Sequence, residues 1–168
     1  MNKPYLKIKK LKDAAIVPSK REEDAGFDLY GVFDKEVVVL KSGEIYLIPT
    51  GLAMELPKDW VFYIAERGST GSKGIAKRAG IVDSGYRGEV FVATSNVSNK
   101  TVLFAKYPEK MDEFLKQNNL KAEQVTIYPQ SKAIAQGLLL YCPHVVVEVV
   151  SELSSSERGT GALGSSKK

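Results

Sequence analysis

Short apolar stretches with a strand-like pattern follow one another along most of the chain. Leu6–Lys9 alternates apolar and charged residues, and Val61–Ile64 is aromatic and β-branched. Segments of this kind, separated by Gly, Pro and Ser, are typical of β-strands joined by turns. The other segments with this pattern are Glu36–Leu40, Ile45–Ile48, Val90–Ala93, Thr101–Phe104, Val125–Tyr128, Ile134–Leu140 and Val145–Val150. Many short strands with frequent turns predict an all-β fold, either a sandwich or a barrel.

One segment between two predicted strands has a helical pattern instead. Pro108 suits the first turn of a helix, and the apolar residues Met111, Phe114 and Leu115 fall on one helical face. The pair of asparagines that begins at Asn118 supplies a stop signal. The sequence therefore predicts a short helical insert, at about residues 107–130, between two strands of the β fold.

The length of 168 residues and the hydrophobic content of 43% fit one domain with a sizeable core. From Ser151 onward the composition shifts to Gly and Ser, which cannot pack a core. We therefore divide the chain into a β-barrel domain, 1–153, and a flexible arm, 154–168. The arm is either a disordered tail or a segment that orders on a phosphate, because its backbone N–H groups are accessible and Arg158 adds a charge.

The net charge of +4 is mild and suits an anionic partner without identifying it. The lysines between Lys7 and Lys12 predict a solvated strand edge rather than a nucleic-acid arm, so no stable nucleic-acid binding is expected. No apolar run reaches the roughly 18 residues of a membrane span, and the first residues lack a signal-peptide core. A cytoplasmic setting, or a nuclear one in a eukaryotic or viral source, is therefore expected.

The chain has one cysteine, Cys142, and one histidine, His144. A single cysteine forms no internal disulfide, and the apolar run around Cys142 predicts a small buried side chain. A lone histidine cannot build a metal cluster. We therefore expect neither a zinc site nor a Cys–His nucleophile.

The segment Gly80–Glu89 carries the strongest chemical signal. Ser84-Gly85 is typical of a hairpin turn, and Tyr86 beside it offers a rigid, flat surface for a sugar or a base. Asp83 is a carboxylate that could orient a water molecule or a hydroxyl group. Taken alone, Asp-Ser-Gly is also ordinary turn chemistry, so the functional interpretation needs support from elsewhere in the chain.

Four other motifs accompany this segment. They are Ala25–Leu29, Arg67–Lys73, Ile134–Gln136, and Arg158-Gly159 with Gly164–Ser166. The five together resemble the ordered motifs of the homotrimeric all-β dUTP pyrophosphatases, the dUTPase family, from about Lys7 to Ser166. Five weak motifs in the right order are more specific than any one of them, and Gly80–Glu89 matches at nearly every position.

This resemblance implies a fold and an activity. The fold would be a jelly-roll-like dUTPase β-barrel, in which three identical chains build three sites and each site draws residues from all three chains. The enzyme would be a nucleotide hydrolase that acts on a phosphoanhydride bond, converting dUTP to dUMP and pyrophosphate with Mg²⁺. Such an activity limits uracil incorporation into DNA and supplies dUMP for thymidylate synthesis.

The resemblance also implies roles for individual residues. Asp83 would hold the sugar 3′-hydroxyl and activate the attacking water, and Tyr86 would pack under the deoxyribose and exclude a 2′-hydroxyl. The hairpin backbone from Gly80 through Val82 to Tyr86 would recognise uracil, and Asp28 would act through water on the metal and the phosphates. The phosphate contacts would come from Arg67, Gly68, Ser69 and Gln136, and the lid over the nucleotide from Arg158, Leu163, Gly164, Ser165 and Ser166.

The chain departs from the family pattern at several positions. Gly68 stands where the family has a serine, so one side-chain contact to phosphate is lost. Ser131-Lys132-Ala133 replaces a Gly-Asp-Arg, and Gly137 follows Gln136 where a leucine is usual. The helical insert is longer than the usual hairpin. The remaining departures are Leu163 for the aromatic residue over uracil and Ala162 for a glycine.

Three other functions fit parts of the sequence. Gly68–Gly74 resembles a Walker loop, but the spacing of its glycines and its strand-like flanks exclude a P-loop NTPase. A dCTP deaminase on the same fold would release ammonia from dCTP. A non-enzymatic role would rest on the insert 107–130 as the binding site of a protein partner, either alone or beside the hydrolase activity.

Overall fold

The computed structural model of the protein describes residues 4–161. Within this range the strands are β1 (Lys7–Lys10), β2 (Phe27–Leu29), β3 (Val37–Leu40), β4 (Ile45–Glu55), β5 (Trp60–Ala65), β6 (Ile75–Lys77), β7 (Ile81–Asp83), β8 (Glu89–Asn96), β9 (Thr101–Ala105), β10 (Val125–Pro129) and β11 (Ala135–Tyr141). The helices are α1 (Gly68–Gly71) and α2 (Met111–Gln117), with short 3-10 turns at Pro108–Lys110 and Ala122–Gln124. None of the helices in this range has the length and apolar character needed to cross a membrane.

The strands form three sheets. One sheet has the order β1-β4-β8-β6, the second has the order β10-β9-β3, and the third has the order β2-β11-β5-β7. Their inner faces meet in one main apolar core. Its largest fully buried side chains include Leu29, Leu40, Ile48, Phe62, Phe104 and Tyr128. The predicted all-β architecture is therefore confirmed.

The sheet β2-β11-β5-β7 carries the predicted functional residues, and we call it the site sheet. Along β5, Phe62 and Ile64 are buried, whereas Val61, Tyr63 and Ala65 are partly exposed. This alternation arises because successive side chains of a strand point to opposite faces. The site sheet thus has one face in the core and an outer face on which polar groups are accessible.

The predicted helical insert is confirmed, although its helical part ends at Gln124 because β10 begins at Val125. Met111 and Leu115 of α2 are buried against Leu103 of β9 and Val125 of β10, and Phe114 packs beside them. The strands β9 and β10 are parallel neighbours, which a tight turn cannot join. The insert is therefore the crossover connection of a parallel pair, and its apolar stripe forms a second, smaller core.

The prediction of a strand at Val145–Val150 is wrong within this chain, since the segment is neither paired nor buried. The ladder of β11 ends at Tyr141, and Pro143 has no N–H group with which to extend it. The chain then leaves the sheet, and three of the valines are 85% to 94% exposed. The predicted burial of Cys142 is wrong for the same reason, because the cysteine lies where the chain departs and is exposed.

The turn predicted at Ser84-Gly85 forms, but it does not close a hairpin. The N–H group of Tyr86 donates to the carbonyl oxygen of Asp83 at 3.0 Å, which closes a β-turn. The flanking strands pair with different sheets: β7 pairs with β5, and β8 pairs with β4 and β6. The hairpin predicted at residues 80–86 is therefore wrong, since the turn is a corner between two sheets.

Candidate active site

The register of the site sheet aligns three of the predicted motifs. Gln136 of β11 lies opposite Asp28 of β2 on one side and opposite Ala65 of β5 on the other. Since residues directly opposite one another share a face of the sheet, Asp28 and Gln136 both lie on the outer face. Arg67 follows the end of β5 by two residues and reaches the same place. An open cleft of about 550 Å³ runs along these residues.

Arg67 is held in a fixed orientation. Its Nε forms an ion pair with Oδ1 of Asp28 at 3.1 Å, and its Nη2 donates to Oδ2 of the same carboxylate at 3.5 Å. On the other side, Nη1 donates to the carbonyl oxygen of Ala133 at 2.9 Å and lies 3.4 Å from the hydroxyl oxygen of Ser69. A guanidinium group fixed in one plane is well suited to bind the oxygens of a phosphate group.

The sequence departs from the expected motif at Lys132-Ala133. The contact between Arg67 and the carbonyl of Ala133 explains why Arg67 is nevertheless held in position. The carbonyl oxygen of Ala133 accepts hydrogen bonds from Arg67 and from the hydroxyl of Tyr128, the latter at 2.7 Å. Tyr128 itself is 1% exposed and belongs to the main core. A backbone carbonyl anchored to the core therefore positions the guanidinium, and no charged side chain is needed at these two positions for that purpose.

Gln136 lies beside Arg67 and is anchored in a similar way. Its Nε2 donates to the carbonyl oxygen of Glu66 at 2.7 Å, and a Cβ atom at Gly26 would approach its Oε1 to 2.9 Å. The glycine of the first motif thus leaves room for the amide. The neighbouring departure at Gly137 also has a steric reason, because the ring of Phe62 occupies the space that a side chain there would need.

A charged loop forms one rim of the cleft. Arg21 donates from Nε and Nη2 to the two carboxylate oxygens of Asp24, both at 3.0 Å, and Lys20 donates to the carbonyl oxygen of Asp24 at 2.5 Å. Hydrogen bonds from the Arg21 side chain, and then from its backbone N–H, hold the pKa of the Asp24 carboxyl below its ordinary value. The loop Lys20–Asp24 carries two cations and three carboxylates, so its net charge is negative, and Lys20, Arg21 and Asp24 are its charged residues that line the cleft.

The second group of predicted residues lies at the other end of the site sheet. Asp83 ends β7 opposite Val61 of β5, and its side chain is exposed. Val82 points into the core. At the start of the segment the backbone approaches β5 closely: the N–H of Ile64 donates to the carbonyl of Gly80 at 2.7 Å, and a Cβ atom at Gly80 would lie 2.5 Å from the carbonyl oxygen of Ile64.

The turn after Asp83 presents Tyr86 at the surface. The Tyr86 ring is 45% exposed, and its hydroxyl donates to the carbonyl oxygen of Glu89 at 2.8 Å. Arg87 donates from Nη1 to the carbonyl oxygens of Ser84, at 2.7 Å, and of Tyr86, at 2.8 Å. The turn is therefore braced by its own side chains, and it offers an aromatic face next to an accessible carboxylate.

The remaining predicted residues divide into two groups. Gly68 and Ser69 belong to α1 and lie next to Arg67, and a Cβ atom at Gly68 would meet open space. Arg158 is exposed and donates to the carbonyl oxygen of Gly161 at 3.2 Å, so the structure does not bring it to the cleft. The rest of the predicted lid lies outside the described residues: Leu163, Gly164, Ser165 and Ser166.

Few side chains in the cleft could act as ligands to a metal ion. Within residues 4–161 no three or more His, Cys, Asp or Glu side chains are grouped as they would be around a metal ion. Mg²⁺, however, is usually bound by one or two carboxylates together with waters and substrate phosphates. The accessible carboxylate of Asp28, already paired with Arg67, fits a Mg²⁺ ion held mainly by a phosphate chain.

The groups that hold Arg67 and Gln136 in position are difficult to recognise from the sequence. They are the backbone carbonyls of Ala133 and Glu66, and every residue has such a carbonyl. Tyr128 lies in a strand-like run, where its aromatic ring predicts only a core position. Lys20 and Arg21 also have little signal in the sequence, since three acidic residues separate them from the first motif.

Solved structures of two phage proteins share this fold. The Staphylococcus bacteriophage 80alpha dUTPase with dUPNHPP superposes with a TM-score of 0.74 at 23% sequence identity, over 98% of this chain and 99% of that chain. A mutant dUTPase from phage phi11 of S. aureus, described with a structural Mg(II) ion, has a TM-score of 0.66 at 21% identity, over 88% and 97% of the two chains. The jelly-roll-like dUTPase β-barrel predicted from the sequence is therefore confirmed.

The sequence comparisons lead from the fold to the family. A family model described as dUTPase matches residues 12–108. The deoxyuridine 5′-triphosphate nucleotidohydrolase of Clostridium acetobutylicum is 38% identical over 164 residues, which cover 95% of this chain and 94% of that protein. The chain belongs to the dUTPase family.

Proposed function

We propose that the two groups of side chains on the site sheet are the phosphate half and the nucleoside half of a dUTP site. The chain is a dUTP diphosphatase, which hydrolyses dUTP to dUMP and pyrophosphate. The assignment of these two groups to phosphate and nucleoside rests on one observation. A cleft in which Arg67 is fixed between Asp28 and Ala133 lies on the same sheet as the exposed turn from Asp83 to Tyr86.

The cleft is the phosphate half. A nucleoside triphosphate carries about four negative charges, so its site needs a cation with several directed donors. Arg67 is already held in plane, so it loses little conformational freedom when the phosphates bind. Gln136 and Ser69 add neutral donors beside it. Positioning and charge neutralisation are most of what phosphoryl chemistry asks of a protein.

The turn is the nucleoside half. The exposed carboxylate of Asp83 acts as the general base, provided that the attacking water lies within about 3 Å of it. Asp83 also accepts the 3′-hydroxyl of the sugar. The face of Tyr86 packs under the deoxyribose and leaves no room for a 2′-hydroxyl. The backbone from Gly80 to Tyr86 recognises uracil, helped by the burial of Val82, which fixes that segment to the core.

Asp28 would hold a Mg²⁺ ion indirectly, through water, because its carboxylate oxygens are already engaged by Arg67. When bound, the ion neutralises charge on the phosphate oxygens. The structural Mg(II) ion described for the phage phi11 dUTPase supports magnesium binding within this fold.

The two halves of a working site come from different copies of the chain. Within one chain, Asp83 and Gln136 are separated by four residue steps along β5 and by two strand spacings, which is about 16 Å between the backbone positions. A general base must lie next to the water that attacks the phosphate chain, so this separation is too large. Asp83 of one copy therefore faces the Arg67 cleft of another, and the family resemblance gives the assembly as a homotrimer.

The segment Val145–Val150 supplies a means of assembly. Its valines are exposed on the single chain, with Val146 at 90% and Val149 at 94%. Such β-forming segments bury their side chains by adding to a sheet edge of another molecule. A second copy of the chain is the occupant that completes the site, so we assign this segment to the contact between copies.

The activity is tested by the release of pyrophosphate from dUTP, UTP, dCTP and dTTP in the presence of Mg²⁺. We expect hydrolysis of dUTP alone. Equal release from dUTP and UTP would contradict the role of Tyr86 as a wall against the 2′-hydroxyl. Release of ammonia from dCTP would identify a deaminase instead.

Replacing the base tests the assignment of Asp83. The variant Asp83→Asn should lose turnover by roughly a thousandfold, since general-base catalysis contributes about 10² to 10⁴. Its binding of a non-hydrolysable dUTP analogue, measured by calorimetry, should stay close to that of the unmodified protein. Asp112→Asn, an exposed change on α2, is the matched control. Turnover that survives in Asp83→Asn would remove this residue from the mechanism.

A protein partner for the insert 107–130 stays a prediction. The buried stripe of α2 is used within the chain itself, through Met111 and Leu115. A partner would therefore contact the charged outer surface of the insert. Substitutions at Glu113 and Lys116, both exposed, would test this with a pulldown and leave the second core intact.

A further inference from the structure

The ring of Tyr86 rests on Gly88. A Cβ atom at Gly88 would lie 2.5 Å from the hydroxyl oxygen of Tyr86, 2.7 Å from its Cζ and 3.1 Å from its Cε2. The ring therefore folds back over the chain that follows it, and its hydroxyl reaches the carbonyl oxygen of Glu89 at 2.8 Å. Any side chain at position 88 would occupy the place where the ring now lies.

Gly85 belongs to the same turn but has different surroundings. A Cβ atom at Gly85 would meet nothing within 4 Å. Neither Gly85 nor Gly88 is among the described glycines with a left-handed φ, so the backbone conformation does not require glycine at either position. The feature that distinguishes Gly88 is the space that it leaves to Tyr86.

The carbonyl that anchors the ring is itself well fixed. Glu89 begins β8, and its carboxylate accepts a hydrogen bond from the backbone N–H of Gly51 at 2.8 Å. Gly51 has a φ of 67° and lies where the register of β4 shifts against β8. Gly88 and the carbonyl of Glu89 form the surface on which the ring packs. This surface is therefore fixed to the neighbouring strand β4.

We propose that Gly88 is a specificity-determining residue of the dUTP site, because it sets the position of the Tyr86 ring against the sugar. The inference rests on the proposed role of Tyr86 as the wall beneath the deoxyribose. A methyl group at position 88 displaces the ring, since the hydroxyl end of a tyrosine side chain moves more easily than the backbone. The hydrogen bond to Glu89 is then lost, and the wall no longer excludes a 2′-hydroxyl.

The variant Gly88→Ala tests the proposal, with Asp112→Asn on the exposed surface of the insert as the control. We expect the ratio of kcat/KM for dUTP to kcat/KM for UTP to fall by roughly tenfold or more in Gly88→Ala and to stay unchanged in Asp112→Asn. Both variants should melt within about 2 °C of the unmodified protein, because both positions are exposed. An unchanged ratio in Gly88→Ala would overturn the proposal. An unmodified protein that does not hydrolyse dUTP would instead overturn the proposed function.

A double-mutant cycle with Tyr86→Ala separates a contact with the ring from a general effect on the turn. If Gly88 acts through the ring, Gly88→Ala should have no further effect on the ratio once the ring is absent. An equal additional loss in the Tyr86→Ala background would contradict the proposal. If Gly88→Ala alone fails to fold, Tyr86→Ala should restore folding by removing the clash, and failure to do so would also contradict it.

Discussion

Arg67 owes its orientation to neighbours on three separate segments. Asp28 comes from β2, Ser69 from α1, and the carbonyl of Ala133 from the loop before β11. The last of these is fastened to the core by the hydroxyl of Tyr128. The contact between Ala133 and Tyr128 lies behind the cleft, so it can be removed without changing a side chain that is proposed to bind the nucleotide.

Removal of the Tyr128 hydroxyl tests this support. Tyr128→Phe should lower the free energy of unfolding by about 1 kcal/mol, because a buried hydrogen bond is lost while Arg67 still satisfies the carbonyl of Ala133. The KM for dUTP should rise several-fold with little change in kcat, measured by steady-state kinetics beside urea unfolding. Tyr107→Phe, at a tyrosine that is 37% exposed, is the control. A KM that stays unchanged while stability falls would show that the hydroxyl serves the core alone.

The sequence predicted the long strands and the insert because their apolar residues recur with a clear period. The three-residue strands β2, β6 and β7 are too short to show one, and the strand pairing is not a local property. For that reason the sequence indicates the turn at Ser84-Gly85 but not its place at a corner between two sheets. The order of the motifs did indicate which residues belong together, and the register of β11 brings Asp28 and Gln136 side by side.

The segment Val145–Val150 has a strand-like composition but pairs with no strand among the described residues. Its β-branched side chains favour a strand, yet β11 has already ended at Tyr141. Exposed apolar patches of this kind mark contacts with other molecules. The exposure of Val145–Val150 therefore supports the proposal that this segment contacts a second copy of the chain.

Charged substitutions in this segment test its role. The double variant Val146→Glu, Val149→Glu should leave the single chain folded, because both side chains are exposed there. The assembly should dissociate towards the monomer mass of 18.4 kDa, and dUTP turnover should fall by roughly a hundredfold or more, since burial of unpaired carboxylates costs several kcal/mol. Solution mass and turnover are measured together. Val97→Glu, in the turn after β8, is the control, and an intact, active assembly in the double variant would contradict the assignment.

The whole molecule places its two functional groups at opposite ends of one sheet. β5 connects them, with Val61 opposite Asp83 at one end and Ala65 opposite Gln136 at the other. A rigid sheet keeps them about 16 Å apart in every copy. This separation supports the proposal that the nucleotide site forms in an assembly, in which each copy would give a phosphate cleft to one site and a nucleoside turn to another.

Complementation between two inactive variants tests this claim most directly. Asp83→Asn and Arg67→Gln should each lose nearly all dUTP turnover alone. When the two are unfolded, mixed in equal amounts and refolded together, about a quarter of the unmodified turnover should return, because each of the two copies at a site is the right variant half of the time. A mixture that remains as inactive as either variant alone would show that Asp83 and Arg67 act within the same chain.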